Sequence, residues 1–451
     1  MASVSSGAPE PPPLKKALIV SPSFPPVNAA DMHRVRQSLP YLAEFGWDAT
    51  TLAVRPELVE GNRDPLLLET VPPGADVRHV GALDYRWTRR LGLGSLALRS
   101  MASYAREGSR LLASGDYDLV YFSTTMFPVM VLGTYWKRRF GVPFVLDIQD
   151  PWYSDYYNGL PPEKRPQKHW FSYRLNKYTE PVAMREVSAV IAVSEAYCDV
   201  LQERYENVQP ETCATIPFGG PSQDFDVLDR VEVKNPVFDP DDGLIHAVYA
   251  GRGGLDMELA ARGFFRALQR GLAERPELFE PLRFHFVGTH YADGDPTLAP
   301  LAADYGVADR VEERPERVPY FTALRLLRDA DVLVVPGSDD PAYTASKLYP
   351  YILAGRPIVA AFNERSSVVD VLRETNAGVA VTFSAEAAHA TAPPESVEAL
   401  ADGLLEALSD ALQAEPDARQ TDWAAFEPYT AREMTRKQVA VFDRVLAGDQ
   451  P

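Results

Sequence analysis

Four short stretches of the chain combine residue types suited to holding an anion or moving a proton. The polar run Gly337-Ser-Asp-Asp-Pro341 leads into a helical pattern that opens at Ser346, Lys347 and Leu348 and stops at Gly355. A helix N-terminus presents free N–H groups and partial positive charge, and Lys347 adds a full charge, which together make a cradle for a diphosphate. A capped helix with a solvated lysine would read the same way. Arg252, in Ala250-Gly-Arg-Gly-Gly254, is a guanidinium on a glycine-rich turn. It suits stabilisation of a departing diphosphate, and equally an ordinary surface turn. Asp150 follows an apolar run and precedes Pro151 and Trp152; it can bind hydroxyls, act as a base toward one, or cap a turn. His33 and Arg34 open another helical pattern, Arg34 suiting a phosphate or an acceptor and His33 a cap or packing role.

These residues depend on the elements around them. Short apolar runs alternate with helical patterns, as in parallel α/β units. Strands are expected at Ala17–Val20, Thr50–Val54, Val77–Val80, Leu119–Phe122, Phe144–Ile148, Ala189–Val193 and Ala214–Ile216. A second series is expected at His246–Ala250, Phe284–Val287, Val332–Val335, Ile358–Ala361 and Val379–Thr382. Helices are expected over Met32–Phe45, over Glu195–Tyr205 with Ser194 as its cap, and over Pro428–Leu446. The polar, Pro-containing stretch between the two series reads as a linker. The expected organisation is a disordered tail at 1–13, a first Rossmann-like domain at 14–220, a linker at 221–244, a second Rossmann-like domain at 245–425, and a terminal helix at 426–451.

Composition narrows the function classes. At 451 residues the chain exceeds one core, and 46% apolar with 24% charged residues fits a globular protein rather than a disordered one. The net charge of −18 argues against general polyanion binding, nucleic acid included. Seven scattered histidines show no metal-binding spacing, so no metal or cofactor is expected. Cys198 and Cys213 form neither a disulfide framework nor a CxxC pair, and they suit a reducing cytoplasm. The uncharged stretch Leu119–Trp136 approaches membrane-span length, but its Ser, Thr, Pro and Gly content reads as strand, loop and buried helix.

The window Ser346-Lys-Leu-Tyr-Pro-Tyr-Ile-Leu-Ala-Gly-Arg-Pro-Ile-Val-Ala360 resembles the donor-binding segment of family-4-type glycosyltransferases with the GT-B fold. Leu18-Ile-Val-Ser-Pro-Ser-Phe-Pro-Pro26, His33-Arg34, Tyr41-Leu-Ala-Glu-Phe-Gly-Trp47, Phe140-Gly-Val-Pro-Phe-Val-Leu-Asp-Ile-Gln-Asp-Pro-Trp152, Val190-Ile-Ala-Val-Ser-Glu195, Ile216-Pro-Phe-Gly-Gly220 and Val287-Gly288 resemble further family segments in the same order. The resemblance implies two Rossmann-like α/β domains facing across a cleft, with the C-terminal helix crossing back to the first. It implies transfer of a sugar from a nucleotide diphosphate sugar to an acceptor hydroxyl, with retention and without a metal, in polysaccharide or cell-envelope glycan synthesis. On that reading Gly251, Arg252, Gly288, Ser346, Lys347 and Leu348 meet the donor, and Asn28, His33 and Arg34 the acceptor. Asp150 and Gln149 take the catalytic positions, Gln149 standing where many members have histidine. The two family glutamates of the donor segment correspond to Ala342 and Pro350 here, and the paired glycines after the first strand to Asn28-Ala29-Ala30. A non-catalytic nucleotide-sugar-binding protein and a sugar-nucleotide epimerase of the same fold are the alternatives.

Two segments run against the acidic whole. Arg86, Arg89, Arg90, Arg99, Arg106 and Arg110 share one stretch with a single acid, Glu107. Lys164, Arg165, Lys168, Arg174 and Lys177 are interleaved with Trp170, Phe171 and Tyr173. Such composition suits solvated helix faces, or peripheral contact with the inner face of an anionic membrane and a glycan, lipid-linked or small-molecule acceptor.

Overall fold

The computed structural model of the chain describes residues 13–88, 94–153, 169–290, 296–340, 348–384, 394–414 and 421–448. The chain divides into two compact units. The first comprises 1–61, 71–217 and 435–451, and the second 62–70 and 218–434.

The first unit is a parallel sheet in the order β3-β2-β1-β4-β5-β6-β7. Its strands are β1 (Lys15–Val20), β2 (Trp47–Val54), β3 (Asp76–Val80), β4 (Leu119–Ser123), β5 (Phe144–Ile148), β6 (Ala189–Ala192) and β7 (Cys213–Thr215). Central β4 and β5 are buried along their whole length, whereas edge strands β3 and β7 are partly exposed. Helices cover both faces of such a sheet, so central strands become continuous apolar runs. The helices Leu96–Leu112 and Val131–Phe140 meet where Gly108 lies against the buried Trp136 ring. A Cβ at Gly133 would stand 2.5 Å from the Phe144 ring, so glycine sets how closely this helix approaches β5.

The second unit repeats the winding in the order β10-β9-β8-β11-β12-β13. Its strands are β8 (Ile245–Ala250), β9 (Leu282–Val287), β10 (Val311–Arg314), β11 (Val332–Pro336), β12 (Ile358–Asn363) and β13 (Gly378–Phe383). The long helix Glu258–Glu274 packs Phe264 and Phe265 onto Phe284 and Phe286 of β9. Each unit therefore has its own core and its own reversal of strand order, between β1 and β4 and between β8 and β11.

The terminal helix Ala431–Ala447 ends in the first unit, as expected of a crossing-back helix. Phe442 meets Trp47 and Tyr121 with ring centroids 5.2 and 5.0 Å apart. Asp443 Oδ1 accepts from Lys15 Nζ at 2.6 Å and from Trp47 Nε1 at 3.0 Å.

Several expectations change. The stretch 221–244 is part of the second unit and carries the helix Ser222–Arg230, which buries Phe225, Val227 and Leu228. Its apolar pattern is too short to stand out among prolines and aspartates. The helix expected over Met32–Phe45 is regular only at His33–Ser38, since Pro40 cannot donate to the next turn. Strand β10, sequence Val-Glu-Glu-Arg, was absent from the sequence reading, because an edge strand needs no apolar run. Ser194 occupies the cap position before Glu195–Arg204 without a side-chain capping bond. The cysteines correct the reading of unpaired thiols: Cys198 and Cys213 form a disulfide, Cα atoms 5.9 Å apart, joining that helix to β7. No helix among the described residues is long and apolar enough to cross a membrane.

Candidate functional site

In open parallel sheets the loops at a strand-order reversal run in opposite directions and leave room for a ligand at the strand C-termini. Both units carry a polar cluster there.

In the first unit the cluster is built on Asp147, a fully buried residue in the otherwise apolar β5. Its Oδ2 accepts from Ser123 Oγ at 2.8 Å, Gln149 Nε2 at 2.8 Å and Arg34 Nε at 3.2 Å. Arg34 also donates to the carbonyls of Pro217 and Ile216, tying the helix after β1 to the chain beyond β7. Burying the guanidinium is tolerable because a carboxylate and two carbonyls replace its water. Gln149 Nε2 further donates to Ser123 Oγ at 3.0 Å and to the Asp31 carbonyl at 3.3 Å. The ends of β4, β5 and the β1 loop are thus held in one network.

Asp31 extends it. Its buried carboxylate accepts from Thr124 Oγ1 at 2.7 Å and from the Thr125 N–H at 3.3 Å. Burial nevertheless outweighs these bonds and pushes its pKa up. Asp150, one residue beyond Gln149, has an exposed side chain at the end of β5. The protein packed around its carboxyl, with the Asp31 charge as a second cause, raises its pKa as well. A carboxylate that is open to a ligand and more basic than usual suits proton acceptance. His33 lies at the start of its helix with Nδ1 3.0 Å from an Arg36 guanidinium nitrogen. Burial, and then the Arg36 charge, hold its pKa well below the usual imidazole range, so it is neutral at pH 7. Asn28 is half-buried in the same β1 loop.

In the second unit the loop after β8 carries Arg252, whose guanidinium forms a two-pronged ion pair with Asp256 at 2.9 and 2.6 Å. Burial pushes the Asp256 pKa up, but bonds from Arg252 and Ser338 more than reverse it, and the net shift is downward. The loop after β11 closes on the same place, its Asp339 N–H donating to the Asp256 carbonyl at 2.8 Å. Tyr249 Oη donates to the Arg252 carbonyl at 2.9 Å, and Tyr351 Oη accepts from the Ala250 N–H at 2.7 Å. The glycine turn is therefore fixed at several points. A Cβ at Gly251 would stand 2.5 Å from Tyr249 Oη. Gly288, after β9, has φ of 75°, a left-handed conformation that favours glycine, and its N–H donates to the Arg314 carbonyl.

Among the residues expected from sequence, Gln149 and Arg34 converge on one carboxylate beside Asp150, and Arg252 and Gly251 share one turn. Leu348 is buried at the start of the helix Leu348–Leu353. Ser346 and Lys347 lie outside the described residues. The sequence reading missed Asp147, Ser123, Asp31 and Thr124, and Asp256 with Tyr351. Two of these leave a trace: an aspartate inside an apolar strand, and an acid four positions after Arg252.

Among the described residues of the first basic segment, three arginines are already paired. Arg99 is buried and bonded to Glu60 and the Leu83 carbonyl, Arg86 pairs with Asp84, and Arg110 pairs with Glu107. Arg89 and Arg90 lie outside the described residues, as do Lys164, Arg165 and Lys168 of the second segment. Among the described residues no group of three or more His, Cys, Asp or Glu is placed to hold a metal ion.

Residues 33–219 match the family described as "Glycosyl transferase 4-like domain". No curated protein shows significant sequence similarity. Among solved structures, HepE of Anabaena, determined with UDP and glucose, is similar at 17% identity, covering 95% of this chain and 99% of that one with a TM-score of 0.54. A glycosyltransferase of Rickettsia africae is 14% identical over 96% and 99% of the two chains, with a TM-score of 0.55. A UDP-forming trehalose-phosphate synthase of Burkholderia xenovorans is 13% identical over 96% and 99%, also with a TM-score of 0.55. The first unit thus carries a segment that matches this family domain, and the chain has the two-unit GT-B fold shared by these structures.

Proposed function

We propose that the enzyme transfers a sugar from a UDP-type nucleotide sugar to an acceptor hydroxyl, with the donor held at the reversal point of the second unit and the acceptor at that of the first. The observation that carries this reading is the fixed Arg252–Asp256 pair on the glycine turn after β8, beside the β11 loop. HepE with UDP and glucose, and a trehalose-phosphate synthase described as UDP-forming, support the donor class.

In this reaction the bond from the anomeric carbon to the diphosphate oxygen breaks, and the diphosphate leaves with the electron pair. Arg252 and Lys347 offset that charge, a stabilisation worth most where the charged groups are already in place. The acceptor oxygen forms the new bond and its proton passes to Asp150. We assign His33 and Asn28 to the acceptor side, and Arg34 and Gln149 to holding the Asp150 strand end through Asp147. Transfer proceeds with retention and without an obligatory metal. The acceptor is a glycan, lipid-linked or small-molecule hydroxyl in polysaccharide or cell-envelope glycan synthesis. The proposed location is the cytoplasm.

Incubation with a panel of nucleotide sugars tests the reading. Release of nucleoside diphosphate, slow alone and faster with acceptor, is expected. Conversion of the donor into its epimer would favour an epimerase, and saturable binding without turnover a non-catalytic binding protein. Proton NMR of the product reads retention directly, and activity abolished by chelator and restored by Mg²⁺ would refute metal independence.

A further inference from the structure

We infer that the outer face of the helices Val131–Phe140 and His169–Met184 in the first unit is a docking surface for an anionic lipid bilayer. The inference stands apart from the transfer reaction: it concerns where the enzyme is held, and it would survive a change of donor or acceptor.

The winding places the two helices together. The first connects β4 to β5 and the second β5 to β6, moving in one direction across the sheet. Parallel crossovers are right-handed, so both helices lie on the same face of the sheet and their outward sides point the same way. Their packing is direct, with Thr134 Oγ1 donating to the Val182 carbonyl at 2.7 Å.

What they present outward is unusual for a chain carrying −18. On the second helix, six of the seven exposed positions, 170, 174, 177, 178, 181 and 182, follow helical spacing and carry Trp, Arg, Lys, Tyr, Pro and Val, the seventh being Ser172. Trp170 is 65% exposed and Tyr178 72%, and Tyr135 joins them from the first helix at 41%. Arg174 lies 5.9 Å from the Trp170 ring, and Arg139 donates to Tyr135 Oη at 2.6 Å. Arg185, also exposed, extends the positive charge. Among the described acids of this region, Glu180 is buried against Tyr205 and Arg204, and Glu186 is paired with Arg138. The boundary on one side is sharp, because the next helix, Glu195–Arg204, exposes Glu195, Asp199 and Glu203.

Aromatic rings with a polar edge, beside cations on flexible stems, match the boundary between headgroups and acyl chains. A negative surface attracts this face while repelling the rest of the chain, so charge alone would orient the enzyme. A protein partner would need complementary acids around an apolar centre. A bilayer supplies both without a specific shape.

Co-sedimentation of the full chain with phosphatidylglycerol-containing vesicles and with pure phosphatidylcholine vesicles, at low and high salt, is the test. Binding to the anionic vesicles at low salt, released by high salt, is expected, with little binding to the neutral ones. Arg174→Glu with Lys177→Glu should lower the partition coefficient by at least about tenfold, and Trp170→Ala with Tyr178→Ala should also weaken it. Unchanged melting temperatures would show that both variants remain folded. Wild-type enzyme left in the supernatant at low salt would overturn the inference, as would folded variants that bind like wild type. Concentration-dependent dimerisation lost in Trp170→Ala, without vesicle binding, would reassign the face to a second copy of the chain.

Discussion

Arg34 Nε and Asp147 Oδ2 are 3.2 Å apart in the first unit, and the two side chains are only 4% and 0% exposed. The pair has no solvent to fall back on if one member is lost. Asp147→Ala is therefore expected to destabilise the protein by about 3–5 kcal/mol, since it leaves a buried guanidinium without its counter-charge. Urea denaturation measures this. Losses below roughly 1 kcal/mol for both Asp147→Ala and Arg34→Ala would place the pair among weak surface-like contacts.

Asp150 should appear in the pH dependence of turnover. A carboxylate base works when deprotonated, and burial together with the Asp31 charge raises its pKa. The acid limb of the rate profile is thus expected above the ordinary carboxylate range, with activity falling as pH drops through it. Asp150→Asn should cost about 10²–10⁴ in turnover, with UDP affinity and melting temperature nearly unchanged because the side chain is exposed. Asp31→Asn removes the neighbouring negative charge and should move the limb downward. A limb that stays put in both variants would remove Asp150 from the role.

Asp31 carries a stability signature of its own. Its folded pKa lies above the unfolded one, so the native state binds the extra proton and stability falls as pH rises through that window. At neutral pH the full cost is present. Asp31→Asn, which can still accept from Thr124 and Thr125, should raise the melting temperature at pH 7, and the gain should vanish below the normal carboxylate range. A gain independent of pH would contradict the linkage.

The winding of both units was readable because buried central strands must be apolar runs and crossover helices must be amphipathic. Strand β10 was not, because Glu312, Glu313 and Arg314 sit at an edge where polar residues cost nothing. The candidate site was legible where a charged residue stands on a loop just past a strand end, as with Asp150 after β5 and Arg252 after β8. It was not legible where residues face one another. Nothing in sequence spacing shows that Arg34 reaches Asp147 across more than a hundred residues, or that Tyr351 reaches back to Ala250. Cys198 and Cys213 were hidden for the same reason, since the turn from helix to β7, rather than their spacing, brings them together.

A second pH response is expected from the far end of the second unit. His285 lies between His246, at 3.0 Å, and Glu312, at 3.1 Å, with Phe238 stacked on both imidazoles. Burial lowers the His285 pKa to about 4, against the opposing pull of Glu312. The unfolded state therefore binds the proton first, and native stability should be complete above about pH 6.5 and fall toward pH 4, by roughly 3 kcal/mol. His285→Asn should flatten that slope. Denaturation series between these pH values would decide it, and equal slopes in the two proteins would reject it.

The donor side is open to direct measurement through Arg252. Its two-pronged pair with Asp256, together with the Tyr249 bond to its carbonyl, presents the guanidinium in a fixed orientation. If it meets the diphosphate, Arg252→Ala should weaken UDP binding by about ten- to a hundredfold, corresponding to about 1.5–3 kcal/mol for a lost charge-assisted contact. Arg252→Lys keeps the charge but cannot make two parallel bonds, so it should recover only part of that loss. Asp256→Ala leaves the arginine in place and frees its rotamers, and the ordering cost then falls on binding, with a smaller drop in affinity. Isothermal calorimetry with UDP, repeated in the presence of chelator, separates these effects. UDP bound equally by wild type and Arg252→Ala would move the diphosphate away from this turn and leave the ion pair as a brace for the β8 loop.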